Sequence, residues 1–331
     1  MNGGCLRKVD DVTGWCKEIR MRRLRCPTVV YPVLGTDVLD LWFLRLSGHG
    51  LGNCFYTYFH AVALAEKYDA VVVAPAWFSL KIGPLLRRER SKRLYWRMFK
   101  PFSGELHGPR KLLTMLRAYR NRVVLKVGER ESPVVVKNAL NFVVSSKFTF
   151  VGLHEHRRTI RDRILGTLND PVPDNHRWGD GGYIAVHIRL GDFMDVAGDT
   201  LIGSTHPSPN LRIPLSWYLN VINGLRKCYV DRPIYVFSDG AEKMLAPILH
   251  QGAQVYRSGS DMTDLLAMSG ASILVGSNST YSRWAAFLGN MPSIWLKTAA
   301  AVEKPTGPET PIAYLPLDYD GLRSVSDFFP R

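Results

Sequence analysis

Acidic residues are scarce where basic ones are dense. Between residues 81 and 163 there are 6 Asp and Glu against 21 Lys and Arg, while the rest of the chain is close to neutral. The formal charge of +14 is therefore regional, and a regional basic excess implies an anionic partner: a membrane surface, a phosphorylated substrate or a nucleic acid. No RNP, KH or zinc-finger pattern accompanies it, so a nucleic-acid partner is not expected. No apolar run reaches the ~18 residues that a membrane-spanning helix needs. Residues 1–26 hold no apolar core of signal-peptide type. The cysteines are Cys5, Cys16, Cys26, Cys54 and Cys228, an odd set with no CxxC spacing. That argues against a zinc site or a disulfide framework and for a reducing compartment, with pairing among the first three as the lumenal alternative. No DxD pair closes a strand, so a metal-held diphosphate is not expected.

What is present is an alternation of strand and helix signals over 331 residues, enough for two domains. Residues 1–37 are polar and basic and read as a loosely packed arm. Residues 38–172 form a first α/β domain and residues 173–331 a second, Rossmann-like one. The boundary is DPVPDNHRWGDGG, residues 170–182, rich in proline and glycine. In the first domain a strand over residues 39–46 runs into SGHGLGN and a helix over 55–68. Its glycines let backbone approach a ligand, and the helix start offers unpaired N–H groups. The spacing is GxGxG, and no acidic residue ends the next strand, which argues against a dinucleotide site. Residues 77–100 interleave Trp77, Phe78, Tyr95, Trp96 and Phe99 with Lys and Arg. That pattern suits stacking on sugars or bases, or resting on a headgroup layer, and equally an irregular segment packed by its aromatics.

In the second half three apolar runs end in polar residues. YIAVHIRLGD delivers His187, Arg189 and Asp192, PIYVFSD delivers Ser238 and Asp239, and SILVGSNST delivers Ser277, Asn278, Ser279 and Thr280. Strands of a parallel sheet point one way, so all three sets gather at its carboxyl edge. Arg189 has the donor fork that fits phosphate oxygens. The hydroxyls and the helix-start amides add neutral donors, and Asp239 can accept from a ribose or a base edge. These residues predict a nucleotide diphosphate site without a metal. They do not choose the base or the sugar.

At these same positions the chain resembles the α1,2-fucosyltransferase family, whose superfamily includes α1,6- and protein O-fucosyltransferases. HIRLGD resembles its HxRxGD motif, NSTYSRWAA its NSSFSWWAA stretch, PIYVFSD its strand ending in FSD, and GLGN its opening GLGNQ. The departures are Cys54 for Gln, Leu190 for a frequent second Arg, Gly240 for a second Asp and Arg283 for the first Trp of the pair. The resemblance implies a GT-B-type fold, two Rossmann-like domains facing across a cleft. It implies GDP-fucose as donor, inversion at the anomeric carbon, and no cofactor or metal. By resemblance Arg189 holds the pyrophosphate and His187 sits beside the nucleotide. Asp239 touches guanosine, and Ser279 and Thr280 complete the phosphate site. Ser238, Asn278 and Arg283 belong to the same nucleotide side, while Asn53 approaches the donor sugar or the acceptor hydroxyl. Asp192, Asp195 and His49 are the candidate bases. The expected acceptor is a glycan or a lipid-linked saccharide. A peripheral membrane contact through residues 81–163 and a cytoplasmic location go with it, or the Golgi lumen if the sequence is part of a longer chain. The alternatives are a glycosyltransferase using another nucleotide sugar and a sugar-nucleotide binder without turnover.

Overall fold

The computed structural model describes residues 27–35, 39–46, 48–80, 94–95, 98–129, 132–145, 147–169, 172, 178–191, 193–195, 198–203, 210–299, 303–322 and 327. Asp192 and residues 81–93 lie outside them.

The first half is built on β1 (Val29–Pro32), every residue of which is buried. The expectation of a loose arm through residue 37 is corrected here, because VVYP is an inner strand. Its length hid it: four residues ending in proline make a weak signal, and its sheet partners are distant in sequence. The short strands β2 (Leu39–Asp40) and β3 (Arg45–Leu46) pair antiparallel, so the single strand expected over residues 39–46 is a hairpin. The break is at Trp42, whose φ is 70° and whose N–H donates to the Asp40 carboxylate at 2.7 Å. Helix α1 (Leu51–Lys67) follows, buried along most of its length. It leads to β4 (Val71–Val72) and β5 (Ser79–Leu80), then α2 (Gly108–Ala118), β6 (Arg122–Val127), β7 (Leu140–Ser145) and α3 (Arg157–Thr167). The main sheet has the order β4-β1-β7-β6, all parallel.

The second half opens with β8 (Gly181–Ile188). It continues through α4 (Gly198–Ile202), α5 (Leu215–Cys228), β9 (Ile234–Ser238), α6 (Glu242–Leu249) and β10 (Gln254–Val255). It closes with α7 (Asp261–Gly270), β11 (Ala271–Val275), α8 (Thr280–Gly289), β12 (Ser293–Leu296) and β13 (Ile312–Leu315). Ser260 occupies the cap position of α7, and β13 is the outermost strand of the sheet. All six strands are parallel, in the order β10-β9-β8-β11-β12-β13. The chain runs outward from β8 to β10 and then returns to β11 on the other side of β8. That reversal is the switch point at which open α/β sheets bind ligands.

The two halves meet through α1 and α8. Phe55, Tyr56 and Phe59 from α1 surround Trp284 from α8, with ring centroids 5.0–5.5 Å apart, and Phe150 and Phe287 close the cluster. Two Rossmann-like units joined in this way are the GT-B-type layout expected from the sequence. Helix α1 starts at the carboxyl end of β1, where the Cys54 thiol lies 3.8 Å from the carbonyl of Leu34. Helix α8 starts at the carboxyl end of β11. The carboxyl edges of both sheets therefore face one cleft.

Candidate functional site

Alternation along β8 buries Ile184, Val186 and Ile188 on one side, and the strand ends in Arg189, Leu190 and Gly191. Arg189 reaches Asp239, which follows β9, with Nη1 to Oδ2 at 2.8 Å. The same carboxylate accepts the N–H of Leu190 at 2.8 Å and of Gly191 at 3.1 Å. One anion thus collects a guanidinium and two backbone amides, a set of donors shaped for carboxylate or phosphate oxygens. The approach is close: a Cβ at Gly191 would stand 2.4 Å from Asp239 Oδ2, so a larger residue would push that carboxylate aside. Gly240 is held in the same way against Leu190, at 2.4 Å. Ser238 caps this turn, its hydroxyl accepting from the N–H of Gly240 at 3.1 Å.

His187 lies two residues before Arg189, near the end of β8. It is buried, and Nδ1 lies 2.8 Å from Ser277 Oγ and 2.9 Å from Ser282 Oγ. Burial first, and then the charge of Arg189, push its pKa down to about 3, with Asp239 opposing. Through Nδ1 the neutral ring ties β8 to the turn that opens α8. His187 therefore positions the site from beneath. Of the partners that hold it, Ser277 was expected at the strand end, and Ser282 was not singled out. Their signal was two serines spaced to close one turn at a strand end.

The third strand end is the turn Ser277–Asn278–Ser279 before α8. Ser279 caps the helix, its hydroxyl accepting from the N–H of Tyr281 at 3.2 Å. Helix α1 begins at Gly50 without a side-chain cap, and neither α1 nor α8 has an acidic residue in its first turn. The two N-termini touch: a Cβ at Gly52 would lie 2.9 Å from Thr280 Oγ1 and 3.1 Å from the Tyr281 nitrogen. Two helix starts converging without acids concentrate positive dipole ends at one point of the cleft. Beside it stand two amide atoms, Asn53 Oδ1 and Asn278 Nδ2, buried and with no hydrogen-bond partner among the described residues. Unpaired buried polar atoms are costly, and at a cleft between domains such atoms are what a ligand satisfies.

Arg283 is buried, and Nη2 donates to the carbonyl of Glu303 at 3.2 Å, in the chain that follows β12. Asp195 pairs with Arg212 at 2.7 Å, and Arg212 also donates to the carbonyl of Leu190 at 2.8 Å. The His49 ring packs edge-on against Phe148, with centroids 5.3 Å apart. Asp192, the other candidate base, lies outside the described residues.

One buried group escaped the sequence reading. Arg45 is fully buried, and it donates to the carbonyls of Leu34, Ala76 and Trp77, with Nε to Ala76 at 2.6 Å. It pins the loops after β1 and β4 beside the start of α1. An arginine inside the apolar run LDLWFLRL was its only sign. Next to these loops lies a cavity of about 230 Å³, lined by Ala74, Pro75, Trp77, Phe78, Tyr95, Phe99 and Pro101.

Comparison with known proteins adds the family. No curated protein matches the chain. Among solved structures, fucosyltransferase NodZ from Bradyrhizobium is similar at 13% identity, over 79% of this chain and 93% of that one, with a TM-score of 0.37. NodZ α-1,6-fucosyltransferase soaked with GDP-fucose shows 13% identity over 80% and 92%, with a TM-score of 0.38. POFUT1 in complex with GDP-fucose shows 11% identity over 86% and 97%, with a TM-score of 0.42. The family model for glycosyl transferase family 11 matches residues 136–310, which hold all three polar strand ends and the whole Arg189–Asp239 nest. The chain belongs to glycosyl transferase family 11, a fucosyltransferase family.

Proposed function

We propose that this enzyme transfers fucose from GDP-fucose to a hydroxyl of a glycan or lipid-linked saccharide, with inversion, an α1,2 linkage and no metal. The observation that carries the reading is the nest at the end of β8. Arg189 and the N–H groups of Leu190 and Gly191 already converge on an anion, the Asp239 carboxylate. In the reaction the acceptor oxygen bonds to the fucose anomeric carbon as the bond from that carbon to the β-phosphate oxygen breaks. The acceptor proton passes to a base or to water, and GDP leaves carrying the electron pair. Negative charge grows on the diphosphate, so fixed donors there lower the barrier most. Arg189 supplies the charge, with the starts of α1 and α8 as neutral donors, and Asp239 is freed to accept from the nucleoside. Asn53 and Asn278 offer their unpaired amide atoms to the donor sugar. Asp192, Asp195 and His49 are the proposed proton acceptors. The aromatic cavity beside the start of α1 gives a saccharide acceptor a face to stack on.

Calorimetric titration with GDP, UDP and CMP tests the donor, with GDP expected to bind tightest. GDP release from GDP-fucose with candidate acceptors tests turnover. Arg189→Ala is expected to lower turnover by about a hundred- to a thousandfold, a loss in the range set by removing a transition-state donor, with the far-UV circular dichroism unchanged. Wild-type turnover in folded Arg189→Ala protein would sink the assignment.

A further inference from the structure

The basic excess of the first half has a definite face. Between residues 106 and 127 there are six basic residues and no acidic one. This stretch holds α2 and the edge strand β6. Helix α2 buries Lys111, Met115 and Ala118 against the sheet. Its opposite side exposes Leu112, Leu113 and Leu116, the last two at 52% and 62%. Those three positions form one apolar stripe on a helix. Arg110 and Arg117 are exposed along its border.

Neighbouring elements continue the pattern. β6 shows Arg122, Val124 and Lys126 on one face, with Val124 at 60% exposure. Val124 pairs with Phe142, which packs with the cluster beneath α2, so this face is on the α2 side of the sheet. Tyr119, at the end of α2, is half-exposed under the guanidinium of Arg122, 4.2 Å from its ring centre. Trp42 packs on Tyr119, and the adjoining hairpin tip presents Phe43 at 66% exposure.

Large apolar side chains standing out of a surface mark an interaction site, and arginine along their border selects its kind. A helix with leucines outward and arginines at its edges lies in the interface of a bilayer. The leucines enter the acyl boundary and the cations stay with the headgroups. A nucleic acid would use the charge and leave the leucines in water. We infer that the α2–β6 face, led by Leu112, Leu113, Leu116 and Phe43, docks on an anionic phospholipid bilayer. Arg110, Arg117, Arg120, Arg122 and Lys126 then meet its headgroups. The inference is independent of the donor assignment. It places the enzyme at a surface where a lipid-linked acceptor is met.

Co-sedimentation of the full chain with vesicles of phosphatidylcholine carrying phosphatidylglycerol tests it, against phosphatidylcholine alone. Binding is expected to be at least about tenfold stronger to the anionic vesicles and to weaken at high salt. Leu113→Ser/Leu116→Ser and Arg117→Glu/Arg120→Glu are each expected to lower that binding about tenfold, with GDP affinity unchanged. Leu116→Gln alone serves if the double leucine change costs stability. Full vesicle binding by these variants overturns the proposal. So does a wild-type protein that binds single-stranded RNA but no vesicle, or one that forms a dimer through this face and ignores lipid. Loss of GDP binding in the wild type would instead count against the donor assignment alone.

Discussion

His187 makes the pH dependence of this fold a residue-scale question. Burial and Arg189 keep its ring neutral in the folded chain, with a pKa near 3 against an ordinary value of about 6.5. Asp239 works the other way, favouring the proton. Between those two values the unfolded chain holds a proton that the folded chain does not, so stability rises with pH there. The stabilisation is complete above about pH 6.5 and is lost progressively as pH falls toward 3. His60 and His154 shift in the same direction, also through burial, and add to the slope. His187→Gln keeps an acceptor for Ser277 and Ser282 but removes the titration. Urea unfolding at a series of pH values is expected to show a shallower fall in stability for His187→Gln than for the wild type. An unchanged slope would mean that His187 is solvated and charged in the fold.

At the scale of elements, the starts of α1 and α8 meet at Gly52 and Thr280. Gly52 is the second residue of α1, where alanine would ordinarily be accepted. Here its Cβ would stand 2.9 Å from Thr280 Oγ1 and 3.1 Å from backbone atoms of Thr280 and Tyr281. The backbone of α8 is fixed by the Trp284 cluster, so the helix starts must separate. Gly52→Ala is expected to weaken GDP binding about tenfold, ~1.4 kcal/mol, with little change in melting temperature, as read by calorimetry and thermal unfolding. The same elements show how far the sequence could be read. Helix α1 and strands β8, β9 and β11 stand out because long apolar periodicities run into polar ends, and their shared direction puts Arg189, Asp239 and Asn278 at one edge. The directions of two side chains were not legible. His187 turns to Ser277 and Ser282, and Arg283 to the Glu303 carbonyl, because partners remote in sequence complete their hydrogen bonds. The hairpin was hidden for a local reason, an Asp40-stabilised turn inside an apolar run. β1 was hidden because burial of all four residues leaves no period to detect.

At the scale of the whole molecule, the two halves share one aromatic cluster, although the second sheet also has an aliphatic core of its own. Trp284 is fully buried, and its ring meets Phe55, Tyr56 and Phe59 from one half and Phe287 from its own helix, all within 5.5 Å between centroids. Phe150 closes the cluster from the first half and stacks on Phe287 at 4.6 Å and 10°. The N–H of Phe150 also donates to the Glu303 carboxylate, 2.8 Å from Oε2, so the segment after β12 latches onto the first half. A core shared in this way makes the halves unfold together, although domains of this size are large enough to melt alone. Removing the indole leaves a cavity between α1 and α8 and costs about 3–5 kcal/mol. The loss falls on the junction, because the aliphatic core of the second sheet, around Ile184, Val186 and Trp217, contains none of these rings. Differential scanning calorimetry is expected to show one transition for the wild type and two for Trp284→Ala, the earlier belonging to the first half. The nest of Arg189, Leu190 and Gly191 belongs to the later-melting half. GDP is therefore expected to raise the later transition of the variant more than the earlier one, which gains only through the start of α1, whereas in the wild type it raises the single transition. A single transition in Trp284→Ala, shifted downward as a whole, would show that the Glu303 latch and the contact between the helix starts suffice to couple the halves.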